Sequence, residues 1–328
     1  MAAPFTARTG VDVTGEPIAT DSTGLDRFIQ SGRGDGGFDL VNLNNPYIRD
    51  VLDPMGMIHP LDEDRFGSEP ARWIPAFRDL FGCCMRADGA AALGVCQRFG
   101  PFNLVINKHL VSPATAKAEG FNLADDPAMH GRYGVMDMAD FNVFHIAMAC
   151  GFDPFRRLDG PELAAFSVKA RAWFANAAMV SGDHGALNRA LADGEIAFYL
   201  SGGSYTASPA RLAGRSDVLA VTPDAGGIAF AEVTGVAAWA RDPVAAEDYL
   251  AYMMEPASAH RAAFIGSVGT PVAQMGDPDV FGRFSAAELD ALQWDDLEAD
   301  IARCTPYRLA PQRELLLERL TEAKASSE

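Results

Sequence analysis

Strand-like and helix-like runs alternate along almost the whole chain, and this pattern predicts an α/β fold. Composition agrees: 48% of the residues are apolar and 22% charged, as in a globular protein, and a length of 328 residues favours two domains. A chain of this size buries about three quarters of its unfolded surface, so it needs neither disulfides nor metals to fold.

In order, "VDVTGEPI" (11–18) reads as a strand and "STGLDRFIQSG" as a short helix capped by Ser22 or Thr23. "FDLVNL" (38–43) reads as the next strand, which runs into Asn44, Asn45, Pro46 and Tyr47. A strand that ends in two amides and a phenol either closes a turn, which Pro46 favours, or lines a place where something small is held. "DDPAMHGRYGVMD" followed by "FNVFHIAMACGF" is a strand and then an apolar helix. "ELAAFSVKARAWFANAAMV" (162–180) is a long helix, with Leu163, Phe166, Ala170, Trp173 and Phe174 near helical spacing. "HGALNRALADGEIAFYLSGG" runs helix, Gly194, strand; "DVLAVTPDAGG" and "FAEVTGVAAWA" are strand-like. "PVAAEDYLAYMME" is a helix announced by Asp242 before Pro243, and "PQRELLLERLTEA" is a final helix. The opening "PFTARTG" reads as a helix end, and an α/β domain normally begins on a strand. A strand and a leader peptide are therefore expected upstream of Met1.

Several chemistries lack their motifs. The formal charge of −17 disfavours nucleic acid, which needs a clustered basic face. "SGRGDGG", with Gly32, Gly34 and Gly36, lies between a helix and a strand, whereas a dinucleotide loop needs strand then helix. There is no GxxxxGK[ST], no two histidines within five positions, and Ile265 occupies the first glycine position of a GxSxG around Ser267. "SGDHGA" reads as a helix entry capped by Ser181 or Asp183, and Asp125-Asp126 and Asp295-Asp296 as helix-start or surface carboxylates. The five cysteines, 83, 84, 96, 150 and 304, show no metal-ligand spacing. No cofactor and no metal site is expected, and no window is apolar enough to span a bilayer.

Five segments, in order, resemble extracellular solute-binding proteins that feed ABC transporters. They are "FTARTGVDV", "FDLVNLNNPYIRDVLDPMGMIHPLD", "RFGPFNLVIN", "ALADGEIAFYLSGG" and "VTPDAGGIAFAEVTGVAAWARDPVAAEDYLAYMMEPASA". Within the family the resemblance points to spermidine/putrescine-binding proteins. It implies a two-lobed type 2 periplasmic-binding-protein fold, each lobe a mixed sheet flanked by helices. Crossover strands would join the lobes, which close over a ligand cleft. The expected lobes are 1–107 with 233–295, and 108–232 with 296–328. It also implies a monomeric, non-enzymatic receptor in the periplasm or outside the cell, which captures a small amine-containing, polyamine-like solute and passes it to membrane permease subunits. The alternatives are the same fold holding an amino-acid derivative, a quaternary amine or a metal-linked solute, or an enzyme or sensor that borrowed it.

On that reading Asn44, Asn45 and Tyr47 lie at a strand's carboxyl end, where open α/β sheets present ligand-binding loops. Polyamine binders carry an aromatic, one residue and an acid in a late strand, and Phe230, Ala231 and Glu232 match, with Glu in place of Asp. Phe230 and Glu232 alternate correctly to share a face. A carboxylate buried there must meet a ligand cation or a neighbouring donor. Asp137 corresponds to a second family acid, Tyr205 substitutes for an aromatic where Gly202-Gly203 stand, and Phe99 and Phe102 supply a wall or are core. Ser267 and Val268 replace a further aromatic, which makes the cage thinner than a spermidine site requires.

Overall fold

The computed structural model describes residues 2–18, 20–32, 37–78 and 80–326. Gly34 and Gly36 of the glycine-rich stretch lie outside the described residues. The strands are β1 (Leu40–Asn44), β2 (Ile58–His59), β3 (Val95–Asn107), β4 (Tyr133–Met136), β5 (Met179–Ser181), β6 (Phe198–Gly203), β7 (Val218–Val221), β8 (Gly227–Ala237) and β9 (Cys304–Pro306). Helices fill most of the intervals, so the protein is α/β.

The chain divides into two compact units, each built from separate stretches. Unit 1 comprises Met1–Phe99, Phe230–Gly266 and Thr270–Ser285; unit 2 comprises Gly100–Ala229, Ser267–Gly269 and Ala286–Glu328. The changes of unit fall at 99/100, 229/230, 266/267, 269/270 and 285/286, where the sequence suggested 107/108, 232/233 and 295/296. β3 and β8 each run unbroken through such a change. A continuous strand has no turn residue to announce where it leaves one unit for the other.

In unit 1, β8 pairs antiparallel with β1, Leu40 opposite Val236 and Asn44 opposite Glu232, and with β2, Ile58 opposite Ala237. The period of two along β1 buries Val41 and Leu43 and turns Asn42 and Asn44 to the other face. The helix Pro243–Met254 starts where Asp242 accepts from the Ala245 N–H at 3.0 Å. Its Leu250, Met253 and Met254 pack with Leu61, Phe66, Val95 and Val236. Two expectations change here. Thr20, not Ser22 or Thr23, caps the helix Asp21–Ser31, accepting from the Thr23 N–H at 3.2 Å. Residues 11–18 form no strand, and Val11 and Ile18 are exposed. Gly15 gives that segment nothing to pack, and Pro17 removes a ladder donor.

In unit 2, β4 runs parallel to β5 and β6, while β3 runs antiparallel to β6 and β7. The first residues of β8 pair parallel with β9. Val105, Met136, Leu187, Leu191, Ile196 and Tyr199 form a core cluster. The long helix Gly160–Asn176 opens on a capping box between Asp159 and Glu162 and buries Phe166, Ala170, Trp173 and Phe174. It ends before the expected residue 180, because Met179–Ser181 joins the sheet as β5, with Gly134 opposite Met179. Asp183 caps the helix His184–Asp193, and Gly194 ends it at φ +77°, a conformation glycine adopts freely.

Candidate functional site

β1 delivers its polar residues to one face of unit 1 and then stops at Pro46. Asn44 precedes the short helix Asn45–Tyr47, yet its side chain makes no capping bond. Its backbone N–H donates to Asp21 Oδ1 at 2.9 Å and its Nδ2 donates to Asp21 Oδ2 at 2.7 Å. Both amide nitrogens are thus spent on one carboxylate in the first turn of the helix Asp21–Ser31. The Oδ1 atoms of Asn44 and Asn45 are buried and receive no hydrogen bond. Asn45 is only 2% exposed, and Tyr47 beside it is buried too. A buried acceptor without a donor costs about 1–3 kcal/mol. Two in succession make this junction a place that lacks N–H or O–H groups. After Tyr47 the helix widens to a π turn, Ile48–Leu52, where the Asp53 N–H donates to the Ile48 carbonyl at 2.9 Å. Such turns are frequent at functional sites.

Residues directly opposite in an antiparallel pair project to the same side, so Glu232 stands beside Asn44 on the polar face. Its carboxylate is held by Arg98: Nε donates to Oε2 at 2.9 Å and Nη2 to Oε1 at 2.6 Å. Arg98 Nη1 also donates to the Ile265 carbonyl at 3.2 Å. Glu232 thus meets a neighbouring donor, the second of the two options its burial required. The pair is bidentate, and its side chains are 12% and 21% exposed. Phe230 is buried, and Phe99 is fully buried with its ring 4.2 Å from that of Phe77.

In unit 2, Phe102 is buried and stacks on Phe141 at 4.0 Å, with Tyr205 at 6.2 Å. Tyr205 is half-buried in the first turn of the helix Ser204–Leu212. Gly202 and Gly203 leave no space for an aromatic. A Cβ at 202 would come within 2.3 Å of the Tyr199 ring, and one at 203 within 2.4 Å of the Pro101 carbonyl oxygen. Asp137 is exposed and ion-pairs with Lys324 of the last helix. Asp140, one turn on, accepts from Arg313 Nε at 2.7 Å and from the Tyr307 hydroxyl at 3.1 Å. His145 is fully buried, and burial pushes its pKa down to about 3, so the ring is neutral. Nε2 lies 3.1 Å from the Phe102 carbonyl and must donate to it, which leaves Nδ1 to accept from the Ser201 hydroxyl at 3.0 Å. Among the described residues no group of three His, Cys, Asp or Glu side chains is placed to hold a metal ion.

The sequence profile of the bacterial extracellular solute-binding proteins matches residues 1–284. The chain belongs to that family. It is a binding protein and not an enzyme. The fold is similar to that of the spermidine/putrescine ABC transporter substrate-binding protein PotD from Streptococcus pneumoniae, with a TM-score of 0.72 and 13% identity over 98% of this chain and 94% of that one. The Tp0655 lipoprotein of Treponema pallidum gives a TM-score of 0.72 at 14% identity over 100% and 94%. MotA from A. tumefaciens B6, solved in complex with glucopine, gives 0.68 at 12% identity over 98% and 93%. No curated protein sequence matches this one. No described helix is long and apolar enough to cross a membrane.

Within unit 1 of this solute-binding protein, Asn44 and Glu232 are brought side by side, with Asn45 and Tyr47 following directly in the chain. Within unit 2, Phe102 and Tyr205 come together, while Asp137 points to an ion pair at the surface. Sequence reasoning missed Asp21 and Arg98. The signal for Arg98 was present, since it is a guanidinium inside "VCQRFGPFNLVIN", a strand otherwise buried along almost its full length.

Proposed function

We propose that this chain is the substrate-binding component of an ABC uptake transporter, that it acts as a monomer outside the cytoplasm, and that its solute is a small amine-containing molecule handed to membrane permease subunits. The family supports the receptor role. The observation that carries the ligand class is the pair of buried, donorless carbonyl oxygens on Asn44 and Asn45. An ammonium or amide group carries the N–H donors that they lack. Tyr47 beside Asn45 and Phe230 in β8 complete the unit 1 set on this reading, and Glu232, its carboxylate held by Arg98, borders it on the same face; Phe99, Phe102, Asp137 and Tyr205 are further candidates.

The test is thermal stabilisation by a panel of amines and amino-acid derivatives, followed by calorimetry on the best binder. A ligand at 100 times its Kd adds about 2.7 kcal/mol to stability. Asn45→Ala is expected to weaken that binder at least about tenfold, equivalent to about 1.4 kcal/mol, with the fold retained. Unchanged affinity would remove Asn45 from the site, and stabilisation by sugars alone would overturn the amine reading.

A further inference from the structure

The Glu232 carboxylate beside Asn44 is already paired in this chain, and its partner is part of the protein. Glu232 offers both carboxylate oxygens to Arg98, at 2.9 and 2.6 Å. The guanidinium is held from one more direction, since its Nη1 donates to the Ile265 carbonyl, and the Arg98 backbone is fixed separately by an antiparallel bridge with Val272. Both side chains are mostly shielded from solvent, so water and salt screen them weakly. A second carboxylate, that of Asp21 beside Asn44, already accepts two Asn44 donors.

We infer that the Arg98–Glu232 pair sets this site for a solute with a single ammonium group and excludes polyamines. This rests on the amine reading above and narrows it. An ammonium that approached Glu232 would lie beside a guanidinium of like charge, a juxtaposition that is strongly penalised when desolvated. The positions left for a cation are the Asn44 and Asn45 oxygens, with the Asp21 charge behind Asn44. That set satisfies one ammonium. A second, several methylenes away, has no free carboxylate at Glu232 to meet.

Titration calorimetry with putrescine as the probe tests this on the native chain, on Arg98→Met and on Arg98→Met/Glu232→Gln. Arg98→Met is expected to bind putrescine at least about tenfold more tightly than the native chain, and the double variant to lose that gain. Equal binding by the native chain and Arg98→Met, binding by neither, or a gain that persists without the Glu232 carboxylate would each overturn the inference. Circular dichroism confirms folding, and Arg98→Gln replaces Arg98→Met if the latter unfolds. With no variant at all, tighter binding of spermidine than of a monoamine by the native chain would overturn it. The Asn45→Ala result separates the two levels: its failure removes the amine site, whereas failure here removes only the exclusion of polyamines.

Discussion

Replacing Asp21 with alanine should destabilise the chain by about 2–3 kcal/mol and weaken solute binding at the same time. Asp21 accepts the Asn44 N–H at 2.9 Å and Asn44 Nδ2 at 2.7 Å, and both atoms are left without this acceptor in the variant. A hydrogen bond to a charged group contributes about 1.5–3 kcal/mol, and water reaching the vacated position recovers part of that. Asp21 also lies in the first turn of the helix Asp21–Ser31, where an acid adds about 0.3–1 kcal/mol through the helix dipole. The carboxylate is only half-buried, which holds the sum near the lower end. The binding loss follows because Asn44, once released, no longer presents its Oδ1 in a fixed direction. Urea titrations followed by tryptophan fluorescence and far-UV circular dichroism measure the first effect as a lower midpoint at unchanged slope. A change below about 0.5 kcal/mol, the range of neutral surface substitutions, would refute the clamp.

Two further outcomes follow from packing and titration. Gly203→Ala places a methyl 2.4 Å from the Pro101 carbonyl oxygen, so backbone must shift; the expected loss is about 1–3 kcal/mol, seen as a lower melting temperature, and an unchanged melting curve would contradict it. Burial holds the Asp300 carboxyl up at about 6, against an ordinary 3.8, with Asp296 adding to the rise and Arg303 and Lys117 opposing it. A raised carboxyl pKa means that the folded state binds its proton more tightly. This contribution is therefore fully present below 3.8 and is lost as pH rises through about 6, for a total of roughly 3 kcal/mol. Asp300→Asn should flatten the stability profile in that window, and parallel profiles for variant and native chain would dismiss the effect.

Much of the fold was legible because its signals are local. Asp242 before Pro243, Asp183 before His184 and Gly194 after Asp193 mark helix ends through groups that act within one turn. Where local signals misled, tertiary pairing was the reason. Residues 179–181 continue a helical pattern but pair with β4, and residues 11–18 alternate like a strand with no ladder to join. The site was half legible. Asn44, Asn45 and Tyr47 stand out as polar residues ending an apolar strand, and Phe230 with Glu232 as a face-sharing pair.

The sequence by itself determined the α/β class, the family and the polar end of β1, all of which depend on residues close together in the chain or on segment order. Only the tertiary structure decided which groups of the candidate site are already paired within the protein. Arg98 and Glu232 are 134 positions apart, and Asp21 and Asn44 are 23 apart. Hydrogen bonds act over about 3 Å, and no spacing along a chain reveals which distant side chain will close that distance.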